Sequence, residues 1–144
     1  MSLKKAFWDS SALIPLVVEQ QRSPSAKTLY ARYAVVAWWG TEVEIRSGLT
    51  RLKRMGQITT SEFDQAKYLA EKVIETWRPI QCQTDLARSA CKLLEQHPLT
   101  AADAMQLAAA LEACEHIPHG YAFITADQRL AEAARLTGFA VELL

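Results

Sequence analysis

The chain has 144 residues, with 16 Lys and Arg against 16 Asp and Glu, and half of its residues are apolar. This length predicts one domain over residues 1–144 that can bury a core of its own, and the composition excludes a disordered, collagen-like or low-complexity protein. The formal net charge of zero excludes nucleic-acid binding by a global basic excess, so any such function must depend on local charge.

Three cysteines stand at Cys82, Cys91 and Cys114 without forming a C-x-x-C pair. A chain of this size needs no disulfide framework, so we expect reduced thiols and a cytoplasmic protein. Cys114 is followed by His116 and His119, which are residue types that bind zinc. Structural zinc sites usually show two ligand pairs, and no second pair follows here, so we do not expect a zinc site.

The amino-terminal segment shares some features with a secretory signal, because two lysines precede the apolar residues 12–18 and small residues follow them. The charge of Asp9 and the presence of Pro15 inside the apolar run argue against a signal. No later segment approaches the roughly 18 apolar residues of a membrane-spanning helix. We therefore expect neither a secretory signal nor a membrane association.

Hydrophobic periodicity predicts short strands that alternate with longer helices. Strands are predicted at residues 5–8, 34–38, 79–83, 121–125 and 139–143. Helices are predicted at residues 10–20, 23–32, 41–55, 60–77, 84–96, 100–114 and 126–136. Pro24 suits a first helical turn, Pro15 requires an adjustment in the first helix, and Gly56 and Gly138 suit helix ends. Short buried strands separated by helices are typical of a parallel sheet covered on both faces, so we predict a three-layer α/β/α sandwich with a central parallel sheet.

Four acidic residues fall at comparable places in this pattern. Asp9 follows the first strand, Asp127 follows the strand at 121–125, and Glu44 lies in the first helical turn after the second strand. The carboxyl ends of parallel strands meet at one edge of the sheet, which is where ligands bind in this architecture. Asp103 begins the alanine-rich helix with no strand before it, so it joins the others only if that helix points its amino end toward the same edge.

Helix capping is the simpler explanation for each acid taken alone. Thr41-x-x-Glu44 and Thr100-x-x-Asp103 fit the capping-box pattern, and the other two acids could each cap the helix that follows. An acid in a first turn gains about 0.3–1 kcal/mol from the helix dipole. Capping does not explain why all four are acids, because Ser, Thr or Asn caps as well, and like charges crowded on one edge raise pKa values unless a cation offsets them.

The residue types at this edge indicate which cation would suit it. Carboxylates without paired His or Cys favour hard, oxygen-seeking ions, so Mg²⁺ or Mn²⁺ is expected rather than zinc or copper. Mg²⁺ usually shares its coordination with a substrate phosphate. The expected chemistry is metal-assisted hydrolysis of a phosphodiester, in which the ion polarises a phosphoryl oxygen and lowers the pKa of the attacking water.

The segments around these acids resemble the PIN-domain ribonucleases, and in particular the VapC-type toxins of bacterial and archaeal toxin–antitoxin pairs. The resemblance runs in order through essentially the whole chain. It rests on four segments: Asp9-Ser10-Ser11-Ala12-Leu13 after the first strand, Thr41 and Glu44 with Arg46 and Gly48, LTAADAMQLAAAL around Asp103, and FITADQRLAEAA around Thr125 and Asp127.

The resemblance implies a Mg²⁺- or Mn²⁺-dependent endoribonuclease that acts as the toxin of a type II toxin–antitoxin system. The acids implied to be catalytic and to bind the metal are Asp9, Glu44, Asp103 and Asp127. Thr125 is implied to be a polar helper near the metal, with Ser10 as a second candidate. The resemblance also implies an RNA substrate, a homodimer, and inhibition by a small cognate antitoxin protein.

Basic and aromatic side chains near these acids could contact RNA. The basic residues cluster on and after the helix that carries Glu44, at Arg46, Arg51, Lys53 and Arg54. A charge run is often only a solvated face, but contacts of this kind to phosphates also position RNA without reading its sequence. Trp38 and Trp39, at the end of a strand, are either core residues or residues that stack on bases.

Two other functions compete with a nuclease. Aspartyl-phosphate proteins also place acids at strand ends, but a haloacid-type phosphatase needs a second Asp where this chain has Ser11, and a receiver domain needs an acidic pair in its first turn that is not evident here. The second alternative is a catalytically inactive PIN-like module that binds RNA or protein. The four intact acids favour the enzyme over that module.

Overall fold

The computed structural model of the protein describes residues 2–81 and 84–144. Within these ranges the strands are β1 Lys4–Trp8, β2 Tyr33–Trp38, β3 Arg78–Ile80, β4 Ala122–Thr125 and β5 Ala140–Leu143. The helices are α1 Ser10–Val17, α2 Ser23–Arg32, α3 Thr41–Arg54, α4 Thr60–Ile74, α5 Thr84–Gln96, α6 Ala101–Ala113 and α7 Gln128–Thr137. In the described ranges, no helix has both the length and the apolar character needed to cross a membrane.

The strands form one sheet in the order β3-β2-β1-β4-β5, and every neighbouring pair is parallel. From β1 the chain first adds strands on one side and then returns to add β4 and β5 on the other. The direction of winding therefore reverses between β1 and β4, and the crevice at the carboxyl ends of the strands at such a reversal is the usual ligand site of an open α/β sheet.

The side chains of β1 alternate between two apolar clusters, one on each face of the sheet. Ala6 and Trp8 pack with residues of α1, α2, α3 and α4, whereas Phe7 packs with residues of α5, α6 and α7. Phe7 also stacks on Phe123 of β4, with 5.6 Å between ring centroids. The predicted three-layer sandwich is confirmed, with four helices on one face and three on the other.

Two helices end three residues earlier than their periodicity predicts, and in both a hydroxyl group binds a carbonyl near the end. The first helix stops at Val17, and the Ser23 hydroxyl donates to the carbonyl of Pro15 at 2.6 Å, which satisfies a group at the end of the helix. The helix predicted to reach Trp77 stops at Ile74, where the Thr76 hydroxyl donates to the carbonyl of Val73 at 2.6 Å.

The boundaries of the third strand and of the last helix also differ from the prediction. The strand predicted at 79–83 runs over Arg78–Ile80, and Cys82 and Gln83 lie outside the described residues. The last helix begins at Gln128 rather than Ala126, since Asp127 occupies its N-cap. Gly56 and Gly138 follow helix ends as predicted, with positive φ angles of 72° and 116° that favour glycine.

Candidate active site

Asp9 is fixed at the end of β1, beside the point where the winding reverses. Its N–H donates to the carbonyl of Ile124 in β4 at 3.0 Å, and its side chain is buried. The hydroxyl groups of Thr125, at 2.9 Å, and of Ser11 both donate to Asp9 Oδ2. The side-chain contact to Asp9 Oδ1 is longer, 3.4 Å from the hydroxyl of Ser10. The protein therefore holds one oxygen of this carboxylate and leaves the other available to a ligand.

Glu44 reaches the same place from α3. Its Oε2 accepts hydrogen bonds from Gln106 Nε2 at 2.7 Å and from Trp38 Nε1 at 3.2 Å. The Ser10 hydroxyl lies 3.4 Å from Glu44 Oε1, and the same hydroxyl lies 3.4 Å from Asp9 Oδ1. The less constrained oxygens of the two carboxylates thus approach each other across one hydroxyl group.

The amino end of α6 points toward this edge, as the prediction for Asp103 required. Gln106, one turn after Asp103, donates to Glu44, and the charges of Asp9 and Asp127 act on the Asp103 carboxyl. The structure therefore brings all four predicted acids to the carboxyl edge of the sheet.

Asp127 lies at this edge two residues after β4, at the N-cap of α7. Its Oδ1 accepts the N–H of Leu130 at 2.8 Å, and its own N–H donates to Thr125 Oγ1 at 3.0 Å. Thr125 is thus placed between two of the acids, because its hydroxyl donates to Asp9 and accepts from the backbone of Asp127.

Helix capping explains at most two of the four acids. Asp127 caps α7, and Thr100 at the start of α6 accepts the N–H of Asp103 at 3.2 Å. Asp9 stands at the N-cap position of α1, but its side chain makes no capping hydrogen bond.

The capping box predicted for Thr41 and Glu44 is wrong. The N-cap of α3 is Gly40, one residue earlier, and Thr41 already lies in the helix. The Thr41 hydroxyl is instead buried against Gln106, which donates to it at 3.2 Å. Asp9 is therefore a buried acid, and Glu44 a half-buried one, that helix stability does not account for.

The pKa values of three of the acids are raised, mainly because the groups are buried and also because they lie near one another's negative charge. Burial and the charges of Asp9 and Asp127 raise the pKa of Asp103 to about 6, from an ordinary value of 3.8. Burial and the charge of Asp127 raise the pKa of Asp9, against the hydrogen bonds from Ser11 and Thr125. Burial and the charge of Asp9 raise the pKa of Glu44.

In the described part of the chain, no Lys, Arg or His forms an ion pair with any of these four acids. Like charges that are gathered without a basic partner cost stability, and a bound cation removes that cost. The electrostatics of the edge therefore favour a positively charged ligand.

The candidate metal ligands at this edge suit a hard divalent ion, because all of them are oxygen atoms of carboxylates and hydroxyl groups. Within residues 2–81 and 84–144, no three His, Cys, Asp or Glu side chains stand close enough to enclose an ion directly. Mg²⁺ keeps several of its waters and usually takes only one or two carboxylates as direct ligands. The arrangement therefore fits an ion held partly through water, and does not fit a closed zinc-type site.

The basic residues predicted to bind RNA lie in different places. Arg51 lines a depression of about 240 Å³ together with Ser11 and Asp127, beside the acids. Arg22, in the turn before α2, lines the same depression and was not predicted from the sequence. Neither arginine forms an ion pair with a described side chain.

The other predicted basic residues lie elsewhere on α3. Arg46 and Arg54 line an open groove of about 440 Å³ on the outer face of that helix. Lys53 instead lies over the ring of Phe63 in α4, with Nζ 4.8 Å from the ring centroid. Of the four predicted residues, Arg51 is therefore the one that lies beside the acids.

The two adjacent tryptophans differ in burial. Trp38 is 8 % exposed and packs in the core cluster with α5 and α6, where its ring nitrogen donates to Glu44. Trp39 is 55 % exposed at the end of β2. Trp38 is thus a core residue, whereas the ring of Trp39 is not part of the core.

Sequence reasoning missed the residues that hold the acids in place. Ser11 binds Asp9 more closely than Ser10 does, and Gln106 and Trp38 hold Glu44. Gln106 left one signal in the sequence, since it is a polar residue one turn after Asp103 in an otherwise alanine-rich helix.

No family model and no curated protein matches the sequence, whereas several solved structures are similar to this one. VapC20 of Mycobacterium tuberculosis, a sarcin-ricin loop cleaving toxin, is similar in structure, with a TM-score of 0.65 and 21 % identity over 90 % of this chain and 95 % of that chain. A chain of a toxin–antitoxin complex from Klebsiella pneumoniae has a TM-score of 0.63 and 18 % identity over 88 % of this chain and 91 % of that chain. FitAcB from Neisseria gonorrhoeae has a TM-score of 0.66 and 15 % identity over 94 % of this chain and 95 % of that chain. The fold that the resemblance implied is thus confirmed, since the chain shares the fold of VapC20 and of the two other toxin–antitoxin structures.

Proposed function

We propose that the protein is a Mg²⁺- or Mn²⁺-dependent endoribonuclease that hydrolyses RNA phosphodiester bonds as the toxin of a type II toxin–antitoxin system. The observation that carries this proposal is that four acids lie together at the carboxyl ends of the strands, where the winding of the sheet reverses. Among the described residues, these acids have no basic partner. The fold is shared with an RNA-loop-cleaving toxin and with a chain of a toxin–antitoxin complex, which supports the same function.

The residues proposed to hold the ion are Asp9, Glu44, Asp103 and Asp127. When bound, the ion supplies Lewis-acid chemistry, because it withdraws electron density from a phosphoryl group and makes water a stronger acid. Asp9 and Glu44 each offer one less constrained oxygen, while hydrogen bonds fix the other. Such outer contacts orient a carboxylate and set its basicity.

Asp103 and Thr125 have separate tasks in this proposal. With a pKa of about 6, Asp103 carries its proton in part of the molecules near neutral pH, and it must release that proton before it can act as a ligand. Thr125 positions Asp9 and the backbone of Asp127 through one hydroxyl group, so it keeps the two acids at a fixed separation.

Arg51 and Arg22 are proposed to guide the RNA backbone to the acids. Both line the depression beside Ser11 and Asp127, and both are free of ion pairs with the described residues. Arginine is well suited to phosphate because its planar group can donate two parallel hydrogen bonds. We further propose weaker contacts to the RNA from Arg46 and Arg54, which line the groove on α3.

The proposed partners are a small cognate antitoxin and a second copy of the chain. A toxin–antitoxin complex among the similar structures supports the antitoxin. A short reading frame that overlaps the gene or lies just upstream, and that encodes a DNA-binding protein, would identify a candidate. Co-purification of the two products and loss of RNA cleavage in the complex would establish the partnership.

The test of the activity is cleavage of a panel of cellular RNAs by protein freed of any partner, with Mg²⁺, with Mn²⁺ and with a chelator. We expect cleavage with either ion and none with the chelator, and sequencing of the cleaved ends gives the target. Asp103→Asn should abolish cleavage and keep the circular dichroism spectrum. Asp64→Asn, an exposed acid paired with Lys67 at 3.3 Å, is the matched control and should cut normally.

The same experiment separates the enzyme from an inactive module. Protein that binds RNA but never cuts it with either ion, across varied RNAs, would reject the nuclease and leave an RNA-binding module. Calorimetry adds a direct measure of the metal, since Asp103→Asn should weaken binding of Mg²⁺ or Mn²⁺ and Asp64→Asn should not.

A further inference from the structure

Trp39 is a large apolar side chain left in solvent at the same sheet edge as the acids. It is 55 % exposed, whereas Trp38 beside it is 8 % exposed. Tryptophan side chains are highly buried on average in folded proteins, so the exposure of this ring is unusual. An exposed tryptophan next to a candidate active site calls for a ligand or a partner that covers it.

The position of Trp39 relative to the acids is set by short contacts. Its N–H donates to the carbonyl of Ile80 in β3 at 2.8 Å, which extends the sheet pairing by one residue and fixes the backbone. Its ring lies 5.9 Å from the ring of Trp38, measured between centroids, and Trp38 Nε1 lies 3.2 Å from Glu44 Oε2. One aromatic ring therefore separates the exposed ring from a carboxylate of the site.

Trp39 is supported on one side and open on the other. The planes of the two indole rings meet at 64°, so the edge-to-face contact with the buried Trp38 holds the exposed ring. A ring that is already held loses little conformational freedom when a flat ligand packs on it.

The charge of this edge indicates which part of an RNA would lie against Trp39. The acids beside it repel phosphates that no cation neutralises, whereas a nucleobase is uncharged and presents an aromatic face. Farther along α3, Arg46 and Arg54 line the open groove together with Glu42, and the two arginines provide the positive charge that a phosphate needs. Stacking aromatic residues combined with basic side chains are usual in proteins that bind single-stranded nucleic acids.

We infer that Trp39 stacks on an unpaired base of the RNA substrate close to the bond that is cut. The inference rests on the proposed function for the identity of the ligand and adds a contact to the base, which the acids and arginines do not provide. A protein surface that covers Trp39, from a second copy or an antitoxin, is the competing outcome.

The test measures RNA binding with cleavage switched off. In an Asp103→Asn background, affinity is measured for a short poly(A) oligoribonucleotide and for an abasic oligoribonucleotide of the same length. Trp39→Ala should weaken binding of poly(A) about tenfold and leave binding of the abasic strand unchanged, because only the first offers bases to stack. Tyr68→Ala, which removes an aromatic ring that is 54 % exposed on α4, is the matched control and should change neither affinity.

Two further substitutions separate stacking from simple apolar contact. Trp39→Phe keeps an aromatic face and should retain most of the affinity for poly(A), whereas Trp39→Leu keeps apolar bulk and should lose it. Equal losses on both strands would overturn the inference, because the effect would then come from the fold or the backbone. Unchanged affinity together with dissociation of a dimer in light scattering would also overturn it and assign the ring to a protein contact.

The outcome is independent of whether the wild-type protein cuts RNA. If base-dependent binding at Trp39 persists while the wild-type protein proves unable to cleave, the endoribonuclease proposal fails and the stacking contact stands. If cleavage is found and Trp39→Ala binds both strands like the parent, the endoribonuclease stands and the stacking contact is rejected.

Discussion

At the scale of single residues, the raised pKa of Asp103 makes the stability of the fold depend on pH. Its pKa is about 6 in the folded protein and near the ordinary 3.8 in the unfolded chain, so the folded state holds this proton more tightly. The fold therefore gains stability as the pH falls from about 6 to about 4, and loses the same amount as the pH rises through that window. Above this window the ionised carboxyl lowers the free energy of unfolding.

Asp103→Asn should remove that cost. We expect the variant to be more stable than the wild type by on the order of 1 kcal/mol at pH 8, a figure reduced because the side chain is half-exposed. The melting temperature should rise by roughly 2–4 °C at pH 8 and by little at pH 4. Thermal melts at both pH values check this, and an equal gain at the two values would contradict the electrostatic cause.

Gln106 is the residue with which to test positioning of Glu44. Gln106→Leu keeps a similar volume but removes the donor to Glu44 Oε2, and it leaves the Thr41 hydroxyl without its partner. Loss of an outer contact of this type typically lowers metal affinity or activity about 10- to 100-fold. Cleavage rates at increasing Mn²⁺ concentration should show that decrease, and undiminished activity at low Mn²⁺ would remove Gln106 from the site.

The places of the site residues were predictable from the sequence where position along a strand fixes them. Asp9 and Asp127 follow β1 and β4, and adjacent parallel strands bring their ends together. Ser11 and Gln106 could not be assigned in the same way, because their contacts join groups far apart in the chain. Ser11 Oγ lies 3.2 Å from Thr125 Oγ1, across 114 residues, and no local pattern encodes that pairing.

At the scale of secondary-structure elements, the start of α3 links the sheet edge to the site. Gly40 is its N-cap, with an ordinary φ of −76°, so backbone conformation does not require glycine there. Space does, because a Cβ at position 40 would lie 2.1 Å from Cζ2 of the buried Trp38 ring. The small residue lets this ring pass beneath the helix start and reach Glu44.

Gly40→Ala should therefore reduce both stability and activity. Overpacking against a buried ring typically costs about 1–3 kcal/mol, and displacement of Trp38 removes a hydrogen bond to Glu44. Thermal melts and cleavage rates on the same preparation measure the two effects. Full cleavage by a folded Gly40→Ala protein would show that Trp38 does not position Glu44.

Gly56→Ala is the control for this prediction. Gly56 has a φ of 72° and open space around it, so alanine there costs about 1–2 kcal/mol through the backbone alone. It should lower the melting temperature to a similar extent and leave the cleavage rate per folded molecule unchanged.

Elements were predicted well from periodicity, and their ends less well. The amphipathic pattern of α4 and the apolar runs of β2 and β4 carry their own signal, because each buries a defined face. At the end of α4 the Thr76 hydroxyl takes up the carbonyl of Val73, and α6 packs mainly against α5. That packing brings Asp103 to the edge although no strand precedes it, and the sequence could state this only as a condition.

At the scale of the whole molecule, zero net charge has a consequence for RNA binding. The molecule offers no general attraction to a polyanion, and the acids at the sheet edge repel phosphates. Association must then depend on a few local arginines. For single strands, each phosphate contact contributes about −0.7 to the slope of log affinity against log salt concentration.

We therefore expect a shallow salt dependence, with a slope of roughly −2 to −3 for about three or four phosphate contacts. Removing two of these contacts in an Arg22→Ala, Arg51→Ala double variant should reduce the magnitude of that slope by about 1.4, measured at constant Mg²⁺ in the Asp103→Asn background. Arg32→Ala is the control, since Arg32 precedes the amino end of β2, at the opposite edge of the sheet. It should leave the slope as it is. A double variant whose affinity falls without a change in slope would mean that these arginines do not contact phosphates, and the RNA would have to approach the acids along the groove lined by Arg46 and Arg54 instead.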